Sequence, residues 1–287
     1  MLEIIWHIIK HTLIDSLKML PFLFAAYLLI EFLEHRASDK LQHALSKSGS
    51  HGVIAGALLG CVPQCGFSVA AANLYAGRVI TLGALMAVFL STSDEAVPLL
   101  ISNPDKAGMI LPLILLKIVI ALIAGFAVDF VLKLIHAKDS KPEIHDHNVL
   151  CEHCHCEEGG IFKSALRHTL SIFAFILLVS LLLNALIEGI GEETIAKLLL
   201  TDSVFQPFLA GLIGLIPNCA ASVMLVQLYL AGSLSFGAML AGLCTGAGMG
   251  LAVLFRTHKG LKKNLAILLT LYLIGSFAGL IVGLFIH

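Results

Sequence analysis

About eight apolar runs dominate the chain, at 12–33, 52–77, 79–102, 109–135, 168–187, 205–231, 234–255 and 264–286. Each is near or above the roughly 20 residues that a helix needs to cross the hydrocarbon core of a bilayer. Lipid offers no partner to a backbone N–H or C=O, so segments of this length must satisfy their own hydrogen bonds as helices. At 58% hydrophobic and 13% charged over 287 residues, the chain is too apolar for a water-soluble domain of this length. An all-α polytopic membrane protein is expected. The net charge of −1 and the absence of long basic runs give no support for nucleic-acid binding. The first ten residues, MLEIIWHIIK, lack the basic start and small-residue cleavage site of a signal peptide and are expected to remain.

The most unusual stretch, Gly60–Pro98, occurs twice. It aligns without a gap on Gly214–Ala252, with Pro63 falling on Pro217, 154 positions further on. Cys65 meets Cys219, Ser68 meets Ser222, Asn73 meets Gln227 and Ser91 meets Thr245. Loop charges then orient the two halves. The loop at 34–51 carries Arg36, Lys40 and Lys47, whereas its counterpart at about 188–203 carries Lys197 among Glu188, Glu192, Glu193 and Asp202. The loop at 256–263 carries Arg256, Lys259, Lys262 and Lys263, against Lys106 alone at 102–108. Basic loops face the cytoplasm, and the basic loop changes sides between the halves, as repeats of opposite orientation require.

Inversion needs an odd number of crossings per half, and the prolines provide it. As one helix, 52–77 would be about 39 Å long, well over the bilayer core. Pro63 removes a backbone donor in its middle and disfavours helical geometry at Val62. The expected fold is thus an inverted-topology repeat of two five-helix halves, about ten membrane helical pieces, with broken helices or re-entrant hairpins at Pro63 and Pro217. The halves are 1–135 and 164–287, joined by a polar linker at 136–163. The linker should be cytoplasmic and both termini outside.

Broken helices in matching positions of inverted halves point to a transport site. Gln64, Cys65, Ser68 and Asn73 from one half, with Asn218, Cys219, Ser222 and Gln227 from the other, are candidate substrate-binding residues near the midplane. Non-helical backbone at that depth survives only in protein or beside a wet cavity. The cluster Ser91, Thr92, Ser93, Asp94 and Glu95 is the sharper signal. A carboxylate at helix centre costs about 2.5–3.5 kcal/mol on insertion scales, so an adjacent pair should face a cavity, a cation or a proton path. Hard oxygen ligands suit Mn, Mg or Ca, and close carboxylates resist ionising together, making one a candidate proton carrier. The matching positions, Gly248 and Met249, carry no charge. Lys117, deep in another apolar run, is a candidate to neutralise Asp94 or Glu95 and to take part in coupling. Glu31 and Asp129 read as interfacial or snorkelling.

The linker packs His145, His147, Cys151, His153, Cys154, His155 and Cys156 into twelve positions. Imidazole and thiolate at this density bind Zn- or Cu-like ions, and with no core-forming residues nearby the segment reads as a flexible metal-collecting loop.

PQCGFS, STSDEAVP, PNCAAS and the His/Cys-rich loop together resemble a family of ten-transmembrane heavy-metal exporters, described as arsenic efflux or manganese transport proteins. The resemblance covers nearly the whole chain. It implies efflux across the bacterial cytoplasmic membrane. The arsenical permeases are more distantly similar, and their broken segments carry a Pro-x-Cys-type pattern; PQCG and PNCA hold one cysteine each, not a close pair.

The function expected is secondary export of a divalent or heavy-metal cation such as Mn or Zn, driven by proton exchange, with alternating access around a midplane site. No GxxxxGK[ST] motif is present, no cofactor is obligatory, and no enzymatic step is expected. Alternatives are efflux of arsenite or organoarsenicals through Cys65 and Cys219, an anion carrier attracted by half-helix N-termini, or a metal sensor acting through the His/Cys loop. The bilayer, the metal ion and the proton are the expected partners, and a homo-oligomer is left open.

Overall fold

A computed structural model of the chain describes residues 10, 13, 14, 17, 20, 21, 23–25, 27, 28, 49–64, 66–92, 96–103, 108–136, 160–190, 204–258 and 260–285. Among these the regular structure is helical, with no strand. The first half contributes α1 (Gly49–Gly60), α2 (Gly66–Ala76), α3 (Leu82–Ser91), α4 (Ala96–Ile101) and α5 (Ile110–His136). The helix α6 (Gly160–Ile190) follows. The second half contributes α7 (Gln206–Gly214), α8 (Cys219–Leu230), α9 (Phe236–Thr245), α10 (Met249–Thr257) and α11 (Leu261–Phe285).

Among the described residues, five segments are long and apolar enough to cross a membrane: Leu82–Ile101, Ile110–Ile135, Ala165–Leu182, Phe236–Thr257 and Leu261–Phe285. Two shorter apolar helices, His51–Gly60 and Cys219–Leu230, accompany them. The chain is therefore a multi-pass membrane protein. Large side chains that would be costly in water, such as Leu111, Ile123, Phe130 and Leu284, stand outward on α5 and α11. Those positions suit contact with acyl chains.

Helix ends follow local chemistry that recurs at matching positions. Thr81 caps α3 by accepting the Ala84 amide on its hydroxyl at 3.1 Å, and Ser235, 154 positions on, caps α9 through the Ala238 amide at 3.2 Å. Such caps satisfy amides that the first turn leaves without partners. At the far ends of α2 and α8, Gly77, Arg78 and Val79 donate their amides to Asn73, Tyr75 and Leu74, and Ala231, Gly232 and Ser233 donate to Gln227, Tyr229 and Leu228.

Packing follows the same plan in each half. α1, α3 and α5 cluster together, as do α7, α9 and α11, and the clusters meet along α3 and α9. The short helices cross over: α2 packs on α10, and α8 packs on α4. Two glycine stripes allow close packing. A Cβ at Gly60 would stand 2.0 Å from the Ser91 hydroxyl, and one at Gly279 would stand 2.4 Å from the Gly237 carbonyl oxygen. Gly52 and Gly283, at the outer ends of those stripes, leave ordinary contact distances of 3.5 and 3.6 Å.

One difference from the sequence reading matters for function. The runs 79–102 and 234–255 read as uninterrupted, yet each is divided. α3 ends at Ser91 and α4 begins at Ala96, while α9 ends at Thr245 and α10 begins at Met249. Between α9 and α10, Gly246 and Gly248 are weak helix formers. Gly248 there adopts φ 53° and ψ −146°, and the Ala247 amide turns back to the Thr245 carbonyl at 3.0 Å.

Candidate functional site

The two proline breaks share one turn. The Gln64 amide donates to the Val62 carbonyl at 2.7 Å, and the Asn218 amide donates to the Ile216 carbonyl at 2.7 Å. Each bond encloses a proline, whose fixed φ suits an inverse γ-turn and whose missing N–H needs no partner. The chain then re-enters a helix, with Phe67 and Ala221 donating their amides to Gln64 and Asn218 at 3.3 Å. The Asn218 side chain accepts the Ala220 amide and so caps α8.

Beyond these lie the breaks after α3 and α9, and here a single residue ties the halves together. Lys117 on α5 is fully buried. Its ammonium donates to the Thr92 carbonyl, at the C-cap of α3, and to the Leu243 carbonyl, in the last turn of α9, the latter at 2.7 Å. The last four carbonyls of a helix lack intrahelical donors, and the aligned peptide dipoles make that end negative. The Nζ of Lys117 is thus held where C-terminal ends from the two halves converge. The matching position on α11 is Leu271, also buried, so the second half offers no equivalent cation.

The breaks of one half also touch the other half. Ser68 on α2 is fully buried, and a Cβ at Gly250 on α10 would lie 2.6 Å from its carbonyl oxygen. At its far end α2 is fastened too: the Tyr75 ring lies 5.4 Å from that of His258, just beyond α10. The His258 Nδ1 is 2.7 Å from the Asn264 side-chain oxygen, and Asn264 donates back to the His258 carbonyl at 3.0 Å. On the other side of α10, Arg256 donates to the Ser171 hydroxyl at 2.9 Å and lies over the Phe175 ring at 4.5 Å, binding α10 to α6.

The residues singled out from the sequence take different places. Gln64 sits half-buried in the first break, Asn218 is buried in the second, and Cys219 opens α8 half-buried. Ser222 donates its hydroxyl to the Cys219 carbonyl at 2.7 Å. Ser91 and Thr92 are buried, with their hydroxyls returned to their own helix: Ser91 donates to Ala87 at 2.8 Å and Thr92 to Val88 at 2.7 Å. It is the Thr92 carbonyl, not its side chain, that faces the lysine. Asn73 and Gln227 lie in the last turns of α2 and α8, about 10 Å along the helix from the breaks. Asn73 is buried and accepts the Tyr27 hydroxyl at 3.0 Å, whereas Gln227 is exposed. Those two are not brought to the breaks. Cys65, Ser93, Asp94, Glu95 and the linker residues His145, His147, Cys151, His153, Cys154, His155 and Cys156 lie outside the described residues.

Apolar spans, paired helix breaks and a buried ammonium held by carbonyl oxygens are features of a membrane transporter. A family described as "Putative, 10TM heavy-metal exporter" matches residues 6–197. The chain belongs to this family. No curated protein and no solved structure matches it. The family match takes in α1 to α6 and with them Lys117 and Thr92, and it ends before α7, which supplies the first helix of the second cluster.

Some of these contacts carry no signal in the sequence. Leu243 contributes only a backbone oxygen, which any residue in that turn would supply. Asp129 accepts the Thr81 hydroxyl and the Gly83 amide, each at 2.8 Å, and so anchors the start of α3 to α5. Its signal was the Thr-x-Gly that opens α3, whose amides need an acceptor.

Proposed function

We propose that the chain is a secondary active exporter of a divalent or heavy-metal cation across the cytoplasmic membrane, driven by proton exchange. The observation that carries this reading is Lys117, a buried cation shared between helix ends of both halves. A site that binds one cation through both halves changes when the halves move against each other, which is what alternating access requires. The loop charges support halves of opposite orientation, with the 136–163 linker cytoplasmic and both termini outside. Asp94 and Glu95 follow Thr92 by two and three positions, and they supply the negative charge for a metal ion or a proton. The His/Cys-rich linker raises the local metal concentration at the cytoplasmic mouth.

The direct test is a metal-by-metal uptake screen in inverted vesicles under a set pH gradient. Asp94→Asn with Glu95→Gln should abolish accumulation of the transported ion while the protein still inserts and purifies. Retained flux in that variant sinks the mechanism. Efflux of arsenite remains a second outcome of the same screen, and Cys65→Ser with Cys219→Ser decides it, because loss of arsenical flux would require those thiols.

A further inference from the structure

The contacts of Lys117 allow a step beyond export as such, one that rests on the exporter reading. Two helix ends that converge inside a membrane protein create a demand for hydrogen-bond donors, and a cation meets it best. The carbonyls of Thr92 and Leu243 belong to different halves, both residues are buried, and each lies at the negative end of its helix. The cation that meets this demand is not part of either helix. It sits on α5, at the end of a flexible four-carbon stem, so it can withdraw while the carbonyls remain. Leu271 stands at the matching place in the second half, so one ammonium serves a pair of ends.

We propose that the α3 and α9 helix ends form a cation subsite built of carbonyl oxygen, and that Lys117 occupies it in competition with the transported metal. Carbonyl oxygen is the donor of a hard divalent ion, Mn2+ or a similar cation, rather than of a thiophilic one. The lysine fills the subsite when cargo is absent, which keeps two negative helix ends from facing each other uncompensated. The arriving ion displaces the ammonium, and the returning ammonium displaces the ion. Lys117 is in this sense the cargo's tethered rival.

The experiment uses the full chain in nanodiscs, after transport of Mn2+ by wild-type vesicles has been measured. A tethered competitor that holds the site nine-tenths of the time weakens apparent affinity about tenfold, so Lys117→Met should bind Mn2+ about tenfold more tightly than wild type. In vesicles the same variant should show a lower KM together with a lower maximal rate, because release loses its driving partner. Cd2+, which prefers thiolate, should gain less than Mn2+ in Lys117→Met. An equal or larger gain for Cd2+ overturns the oxygen-ligand assignment, and an unchanged or weaker Mn2+ Kd overturns the competition.

A measurement on the wild-type protein keeps the proposal testable even if the methionine variant does not fold. Reductive methylation read by peptide mass spectrometry should modify Lys117 several-fold more in the presence of Mn2+ than in its absence. Equal or reduced modification rejects displacement. Wild-type vesicles that move Mn2+ while Lys117 gives none of these responses refute the subsite and leave the exporter standing. A wild-type chain that moves no metal at all refutes the exporter reading, and the subsite falls with it.

Discussion

At the scale of single residues, Lys117 stands out for its charge and Gly248 for its backbone geometry. An ionised side chain at the centre of a membrane helix costs about 2.5–3.5 kcal/mol on insertion scales, and hydrogen bonds to a charged group return about 1.5–3 kcal/mol each. Two such bonds offset a cost of that order, which accounts for a fully buried lysine in α5. Gly248 is the second position. Its φ of 53° with ψ of −146° lies in a region that side chains with a Cβ enter only under strain, about 1–3 kcal/mol. Gly248→Ala should therefore lower thermal stability in detergent by that order and slow transport. An unshifted melting curve would show that α10 can begin without this conformation. The sequence puts Asp94 at the equivalent place in the first half, so the two breaks differ in chemistry although their helices match.

At the scale of elements, the short helices matter more than the long ones. α5 and α11 face lipid and form the frame, while α2, α4, α8 and α10 begin or end within the molecule and cross between halves. The approach of α2 to α10 is tight because Gly250 presents only hydrogen to the Ser68 backbone. At the related crossing of α8 with α4, the matching residue is Ala96, which brings a Cβ. Gly250→Ala should then force α2 and α10 apart, costing about 1–3 kcal/mol as overpacking does. Comparing the thermal midpoint of Gly250→Ala with that of the wild type checks this, and an equal midpoint would mean that the α2–α10 contact has room to give.

At the scale of the whole molecule, the prediction concerns sidedness. The linker cysteines Cys151, Cys154 and Cys156 should be labelled only from the cytoplasm, and tags at both termini only from outside. Termini on opposite sides would end the inverted-repeat reading, since two halves with odd numbers of crossings must return the chain to its starting side. Deleting 143–158 should leave maximal flux intact and raise the apparent KM for metal, because the loop concentrates ions without forming the path. Loss of maximal flux would instead make those histidines and cysteines part of the transport route.

What the sequence alone determined is whatever lipid and local chemistry enforce. Lipid requires helices from runs of 20 or so apolar residues, Pro63 and Pro217 interrupt them by removing a donor, and the gapless match between Gly60–Pro98 and Gly214–Ala252 shows the same device used twice. Lys117 stood out for the same reason, as a charge in an apolar run. What only the tertiary structure decided is which ends meet. The Lys117 partners are backbone carbonyls of Thr92 and Leu243, and an oxygen common to every residue leaves no mark on a sequence. The break before Met249 was hidden because TGAGMG is as apolar as the helices around it. Asn73 and Gln227 align with each other across the repeat, but the 1.5 Å rise of each helix carries them away from the breaks, one onto Tyr27 and the other to the surface.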